Sequence, residues 1–412
     1  MQHVLVIGGG VIGLSSAWWL LEAGCHVSVL ERAPAVGAGA SFANGGQLSY
    51  RYVAPLADAG VPLKALHWLL QRDGPLRFRP EADLRQWRWL ASFIAHCRAD
   101  VNARTTARLL QLGQLSRAAM AQLAPVVPPA AFGWREAGKL VVYRSARAFA
   151  AAARPAGQQG GTLLSAADCL AREPALADAQ ARFAGGVYSA GEAVADCHAF
   201  CLALDQRLRA HPRFGAVLQG EARAFVTANG KVTGVATSAG VIGADAFVLA
   251  AGIRSRDLAA SAGIDLPLYP LKGYSLTMPI RPGDRAPEIS VTDFERKVLY
   301  ARIDDRLRVA AMVDLVGEDT SLDARRVAAL KRLARQTMPR AADYCNVAAW
   351  AGLRPATPSS APILGATAYP NLWLNVGHGP LGFTFACGSA SILADLVTGR
   401  APPFALDGLT LR

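Results

Sequence analysis

Val4-Leu5-Val6-Ile7-Gly8-Gly9-Gly10-Val11-Ile12-Gly13 is the stretch on which the fold turns. Val4 to Ile7 is a short, continuous apolar run stopped by glycines, Ile12 to Ala23 carries helix-forming residues, and His26 to Leu30 is β-branched and apolar again. The order is strand, helix, strand. The turn between the first two elements is spaced Gly8-x-Gly10-x-x-Gly13, and Glu31 follows about twenty residues later, at the end of the second strand. In this arrangement Gly8 permits the tight turn and Gly10 lets backbone approach a pyrophosphate. Gly13 lets helix and strand pack closely, and the helix N-terminus offers unpaired N–H groups to the anion. Glu31 is placed to accept from adenosine ribose hydroxyls and to repel the 2′-phosphate of NADP. With 39 glycines in the chain the spacing alone is a weak signal. The strand, helix and acid around it turn it into a dinucleotide site.

Outward from that unit, 412 residues predict two or three domains, and a 52% hydrophobic composition supplies a sizeable core, which excludes a disordered or fibrous chain. Lys and Arg number 43 against 31 Asp and Glu, a balance of +12 that attracts anions. The seven cysteines (Cys25, Cys97, Cys169, Cys197, Cys201, Cys345, Cys387) are odd in number and scattered, as free thiols in a reducing compartment are. Cys197-His198-x-x-Cys201 is their one tight cluster; no further ligands follow at metal spacing, so no metal is expected. Val4 to Leu21 resembles a secretory signal, and Glu22 to Cys25 a lipoprotein cleavage box. The lack of Lys or Arg before that run and the helix break at Gly8-Gly9-Gly10 argue against both. Beyond this run, no stretch offers the uninterrupted apolar length of a membrane span.

The middle of the chain does not continue the alternation. Leu84 to Leu123 has apolar residues at helical spacing and predicts one or two long helices. Lys139 to Arg144, Gly273 to Ile280, Val298 to Ile303 and Leu307 to Leu315 read as strands, the last two joined by a hairpin at Asp304-Asp305. Asn229-Gly230 marks another hairpin, followed by strands at Lys231 to Thr237 and Ala244 to Leu249. Near the C-terminus comes a second strand, glycine-rich turn and helix: Leu372 to Val376, Gly377 to Gly382, Ala386 to Leu396. Both chain ends therefore build one nucleotide site around an interposed sheet. The expected fold is α/β plus α+β, a Rossmann-like nucleotide domain (1–60, 160–255 and 345–412) interleaved with a mixed antiparallel-sheet substrate domain (61–159 and 256–344).

Several segments carry a resemblance to a known family: Gly8 to Gly13, Ser41-Phe42-Ala43-Asn44-Gly45-Gly46-Gln47, Tyr52 to Pro55, Gly60 to Lys64, Tyr269 to Ser275, Gly352-Leu353-Arg354-Pro355, and Asn375 to Gly379 with Ala386 to Ser389. Over nearly its whole length the chain resembles the flavin-dependent D-amino acid oxidase superfamily, and within it the bacterial D-amino acid dehydrogenase catalytic subunits. The resemblance implies FAD, hydride transfer from the Cα–H of an amino acid to flavin N5, and hydrolysis of the imino acid to a 2-oxo acid and ammonia. It implies that Arg354 clamps the substrate carboxylate, a task suited to a guanidinium fork; the alternative is an interdomain salt bridge. Tyr52 and Tyr274 match positions near the substrate or, equally, aromatics of the domain interface. His378 either lies against the flavin or is a satisfied polar loop residue.

By the same resemblance the cofactor contacts are Gly8, Gly10, Val11, Ile12, Gly13, Glu31 and Arg32; Ser41, Asn44, Gly45, Gly46 and Gln47; Ala222, Ala250, Ala251 and Gly252; and Gly377, His378, Gly379, Leu381, Gly382, Phe383 and Thr384. The chain departs from the dehydrogenase pattern at Ser359-Ser360-Ala361, Phe383, Phe42 and Tyr50, which leaves the substrate side chain open. Rival readings are an oxygen-using oxidase of glycine, sarcosine or D-proline-type imino acids, and a membrane-surface flavoprotein scaffold. The scaffold reading rests on Leu63 to Leu70 with Trp68, followed by Arg72, Arg77, Arg79, Arg85 and Arg88 among Trp87 and Trp89. The expected partners are an amino acid, a quinone or other electron acceptor, and an anionic membrane at the cytoplasmic face. Nucleic acid is not expected, and the oligomeric state is left open.

Overall fold

The computed structural model describes residues 2–71, 73–158 and 160–411. Its first unit is the expected one: β1 (His3–Ile7), α1 (Val11–Glu22) and β2 (His26–Glu31). β1 is the centre of a six-stranded sheet ordered Ile363–Ala366, Leu372–Val376, Ala246–Leu249, β1, β2, Phe214–Gln219. All neighbours are parallel except Ile363–Ala366, which runs antiparallel to Leu372–Val376. The β1 residues Val4 to Ile7 are all buried, as expected where helices cover both faces of a parallel sheet.

Between the strands of that sheet the chain builds a second, nine-stranded one. Its order is Ala348–Ala356, Tyr269–Pro279, Arg306–Leu315, Val298–Ile303, Ser290–Asp293, Lys139–Tyr143, Gly185–Ser189, Thr162–Ser165, with Leu76–Phe78 beside Arg306–Leu315. The Asp304-Asp305 hairpin forms, with Asp304 at φ +51°. So does the Asn229-Gly230 hairpin, both residues having positive φ, the signature of a two-residue primed turn.

Three domain boundaries need correction. Thr162–Ser165 and Gly185–Ser189 hydrogen-bond beside Lys139–Tyr143, so this part of 160–255 belongs to the substrate sheet. Ala348–Ala356 pairs with Tyr269–Pro279, so the start of 345–412 belongs there too. The stretch Leu84 to Leu123 forms two helices, α3 (Leu84–His96) and α4 (Ala99–Leu123), and α4 packs into the nucleotide domain against the Gly382–Val397 helix. That crossing is close: a Cβ at Gly388 would stand 2.8 Å from the Ser116 backbone, and one at Gly113 2.5 Å from the Tyr50 carbonyl oxygen. The segment Gly379–Val397 is also long and apolar enough to cross a membrane, contrary to the sequence reading, but 67% of it is buried as a core helix.

Candidate active site

One cavity of about 2120 Å³ runs from the carboxyl ends of β1 and β2 to the face of the nine-stranded sheet. Its nucleotide end is built from backbone. Gly8 has φ +115°, and a Cβ there would lie 2.5 Å from the Ala250 carbonyl oxygen, so the turn requires glycine. At Gly10 a Cβ would meet only Ser41 Oγ, at 3.5 Å, leaving open space before the N-terminus of α1. Gly10 caps that helix without a side chain, while Ser41 Oγ reaches across to accept from Val11 N at 3.0 Å. Both Glu31 oxygens are held by backbone, accepting from Gly9 N at 2.6 Å and Ala33 N at 2.7 Å, which fixes the carboxylate at the cavity edge.

The other expected cofactor residues fall on this cavity with two exceptions. Arg32 and Ala222 line its outer end, Asn44 to Gln47 and Ala250 to Gly252 its sides, and Gly377 to Phe383 its inner end. Gly13 is packed beneath the turn instead, where a Cβ would be 1.7 Å from the Gly8 oxygen. Thr384 turns its hydroxyl to accept from Ser49 N at 3.1 Å and supports the wall from behind.

At the sheet end, Arg354 stands on Ala348–Ala356 and its guanidinium lies over Gly273, where a Cβ would come within 2.2 Å of Nη2. Opposite Gly273 the Arg306–Leu315 strand carries a bulge, with Met312 at φ +70°. A bulge re-aims backbone groups; here the Met312 carbonyl accepts from Arg354 Nη1 at 3.0 Å. No carboxylate lies within ion-pair distance of Arg354 among the described residues, and burial lowers the guanidinium to about 10. The interdomain salt bridge does not form; a desolvated fork faces the cavity.

Tyr52 and Tyr274 both border the cavity. Tyr52 is 40% exposed, into that cavity, and burial there raises its phenol to about 12. The Tyr274 ring is buried and its hydroxyl donates to Asp314 Oδ2 at 3.1 Å. Asp314 Oδ1 in turn accepts from Arg326 Nη2 at 2.6 Å. That hydroxyl is committed to the protein and has no proton to offer a ligand in the cavity. Tyr274→Phe is expected to cost about 1–2 kcal/mol of stability, because Asp314 loses a buried donor, with substrate KM moving less than twofold; urea denaturation and steady-state kinetics check both.

His378 is buried, with Nε2 3.1 Å from Ser389 Oγ. Ser389 donates its own proton to the Ala386 carbonyl, so it accepts from His378 Nε2–H, leaving Nδ1 as the free acceptor. Burial lowers the imidazole to about 3, so it is neutral at ordinary pH. The unfolded chain takes up a proton below pH about 6.5 and the folded chain does not, so this group's contribution to stability is present above that pH. It falls away as pH drops towards 3. Urea midpoints at pH 7.5 and pH 5 are therefore expected to differ more for the wild type than for His378→Gln.

Two lysines on the cavity wall escape sequence reading. Lys139 is buried at the start of its strand and donates to Gln47 Oε1 at 2.8 Å and Ser49 Oγ at 2.9 Å. Its Nζ lies 4.4 Å from the centre of the Tyr52 ring. Lys297, at φ +56°, sits over the Phe294 ring at 3.7 Å. A lysine opening an apolar run, as in Lys139-Leu140-Val141-Val142-Tyr143, was the only available signal for the first.

The cavity thus joins a Gly-x-Gly-x-x-Gly turn to an arginine, on an antiparallel sheet, that has no ion-pair partner among the described residues. The sequence model of the DAO family, described as FAD dependent oxidoreductase, matches residues 3–396. The chain belongs to that family. "D-amino acid dehydrogenase 2" of Pseudomonas aeruginosa is 48% identical over 100% of this chain and 98% of its own. "D-amino acid dehydrogenase" of Vibrio cholerae is 39% identical with the same coverage. Glycine oxidase from Geobacillus kaustophilus superposes with a TM-score of 0.77 at 22% identity over 100% of this chain and 99% of its own, a likeness of fold.

The residues present fit the FAD that a DAO-family member takes. The cradle at Gly10 has room for a pyrophosphate that a Cβ would fill, Glu31 borders the same cavity with its carboxylate fixed by backbone, and the cavity continues unbroken from there to Arg354. Among the described residues no group of three or more His, Cys, Asp or Glu side chains is set to hold a metal ion.

Proposed function

We propose that this DAO-family chain oxidises D-amino acids to 2-oxo acids and ammonia, passing electrons to an acceptor such as a quinone. The observation that carries the reading is Arg354: a desolvated guanidinium with one bond to a carbonyl and no carboxylate within ion-pair distance among the described residues, on the wall of the cavity that begins at Gly10. Such a fork takes a carboxylate bidentately. When bound, the flavin supplies the hydride acceptor. The chain holds the amino acid by Arg354, walls it with Tyr52 and Tyr274, and keeps a neutral His378 nearby. The D-amino acid dehydrogenase relatives support the same substrate class. Anaerobic addition of single D-amino acids, their L-enantiomers, glycine or sarcosine to the holoprotein tests it. Loss of the visible flavin band with D-enantiomers alone is the expected result. Bleaching by glycine or sarcosine points instead to an oxidase of small or secondary amines.

Peripheral attachment to an anionic membrane, at the cytoplasmic face, is the second part of the reading. Helix α2 (Val61–Leu70) buries none of its residues, with Leu63 77%, Leu66 63% and Leu70 87% exposed. Leu84 and Trp87 of α3 are exposed as well. Contiguous apolar surface of this kind marks an interaction site. The basic half of the sequence argument weakens: Arg77, Arg79 and Arg85 are paired with Asp323, Glu81 and Asp83, and Arg72 lies outside the described residues. Attachment therefore rests on leucine insertion. Wild-type protein is expected to sediment with anionic vesicles and Leu63→Glu/Leu70→Glu protein to stay in solution; equal binding removes α2 from the contact.

A further inference from the structure

Lys139 is a buried cation that forms no ion pair among the described residues. Its protein partners are the neutral oxygens of Gln47 and Ser49. Glu192 attracts it from beyond ion-pair distance, its carboxylate accepting instead from the backbone N–H groups of Tyr50 and Arg51. A buried charge without a counter-ion is costly unless a ligand completes it. Lys139 lines the cavity, so the ligand lies there.

The group that Arg354 clamps is out of its reach. Leu140, next to Lys139, is level with Val291, Val291 with Tyr300, Tyr300 with Val309, and Val309 with Leu276, which sets Lys139 level with Thr277. Arg354 pairs with Leu271, six residues further along that same strand and so about 20 Å away along the strand direction. A small amino acid does not span both cations.

The segment Ala43–Ser49 does reach Lys139. Tied to α1 by Ser41, it crosses the sheet strand by strand: Ser275 Oγ donates to Ala43 O at 2.6 Å, Arg308 Nη1 to Asn44 O at 2.7 Å, and Lys139 takes Gln47 and Ser49 at the far end. Asn44 to Gln47 border the cavity along this path. A dinucleotide seated at the N-terminus of α1 and extended toward the sheet runs beside it.

We propose that Lys139 is the cation that meets the flavin ring and stabilises the negative charge the ring acquires on reduction. The proposal rests on FAD binding and not on any choice of substrate. A fixed positive charge in a dry site favours charge that develops beside it. Burial lowers the ammonium to about 8, more than the attraction of Glu192 restores, as suits a cation placed in a dry site.

Sulfite provides a test without substrate. Its sulfur lone pair becomes the bond to flavin N5, the N5=C4a π pair is displaced towards N1 and the C2 carbonyl, and the ring of the adduct carries that negative charge with no group leaving. Sulfite is titrated into wild-type, Lys139→Arg and Lys139→Met holoproteins while the visible band is followed, with flavin content and melting temperature measured alongside. Lys139→Arg is expected to stay within threefold of wild type in sulfite affinity, and Lys139→Met to lose at least tenfold. The midpoint potential of Lys139→Met is expected to fall in step, by about 30 mV for each tenfold in a two-electron couple. Loss of flavin from Lys139→Met but not from Lys139→Arg also supports a charge contact with the cofactor. Lys139→Met protein that keeps its flavin with sulfite affinity and potential unchanged overturns the proposal, whatever happens to its melting temperature. So does loss of flavin from both variants, or a Lys139→Met defect confined to turnover of D-aspartate and D-glutamate. Because no amino acid enters the sulfite arms, failure of the D-amino acid reading leaves their outcome intact.

Discussion

Arg354→Lys is expected to raise the KM for D-amino acids by about 10- to 100-fold while flavin content stays at the wild-type level. Hydrogen bonds to charged groups contribute about 1.5–3 kcal/mol, and that range converts to a factor of this size. Lysine keeps the charge but not the fork, and it cannot hold the Met312 carbonyl and both carboxylate oxygens in one plane. Gly273 gives an independent route to the same phenotype. The guanidinium occupies the place of its missing Cβ, so Gly273→Ala displaces Arg354 without altering it. Steady-state kinetics on the two variants therefore show similar rises in KM. An unchanged KM in Arg354→Lys removes that residue from the site.

The second large effect is structural. Gly13→Ala puts a Cβ 1.7 Å from the Gly8 carbonyl oxygen, and neither atom can step aside, since one belongs to α1 and the other to the turn that α1 caps. Overpacking between side chains costs about 1–3 kcal/mol; a backbone collision exceeds that. The variant is expected to yield little soluble protein and no bound flavin. Gly10→Ala is the contrast, because its Cβ meets only Ser41 Oγ at 3.5 Å. That protein folds, with its melting temperature in the absence of flavin close to wild type, and binds FAD weakly because the methyl group takes the space of the pyrophosphate. Flavin-to-protein ratios and melting curves separate the two. A soluble, flavin-loaded Gly13→Ala protein contradicts the packing described for α1 on β1.

The nucleotide unit was legible because its signals are local. Val4 to Ile7, Gly8, Gly10, Gly13 and Glu31 all lie within the first thirty-one positions, and each constrains its neighbours directly. The C-terminal strand and turn were legible for the same reason. Thr162–Ser165 and Gly185–Ser189 were not, since their assignment to the large sheet depends on pairing with Lys139–Tyr143 and not on their own composition. Arg354 and His378 were reached through motifs, but the commitment of the Tyr274 hydroxyl depends on Asp314, forty residues along the chain and beyond a bulge. Lys139 was hidden by its strand: all five residues of Lys139–Tyr143 are buried, so there is no alternation to mark which side faces the cavity. α4 was assigned to the wrong body because helical periodicity reports that a face is buried, and not against what.

The order of strands around β1 also governs when this protein can come into being during synthesis. β1 is made before every other strand of its sheet, and its neighbour Ala246–Leu249 and the next strand, Leu372–Val376, follow far later. At roughly 5–20 residues per second, β1 and α1 wait for tens of seconds with their apolar faces uncovered. The Gly382–Val397 helix, which covers α1, comes later still. A chain truncated before residue 372 lacks both that strand and the helix that covers α1, and is expected to expose the apolar surface that chaperones and proteases recognise.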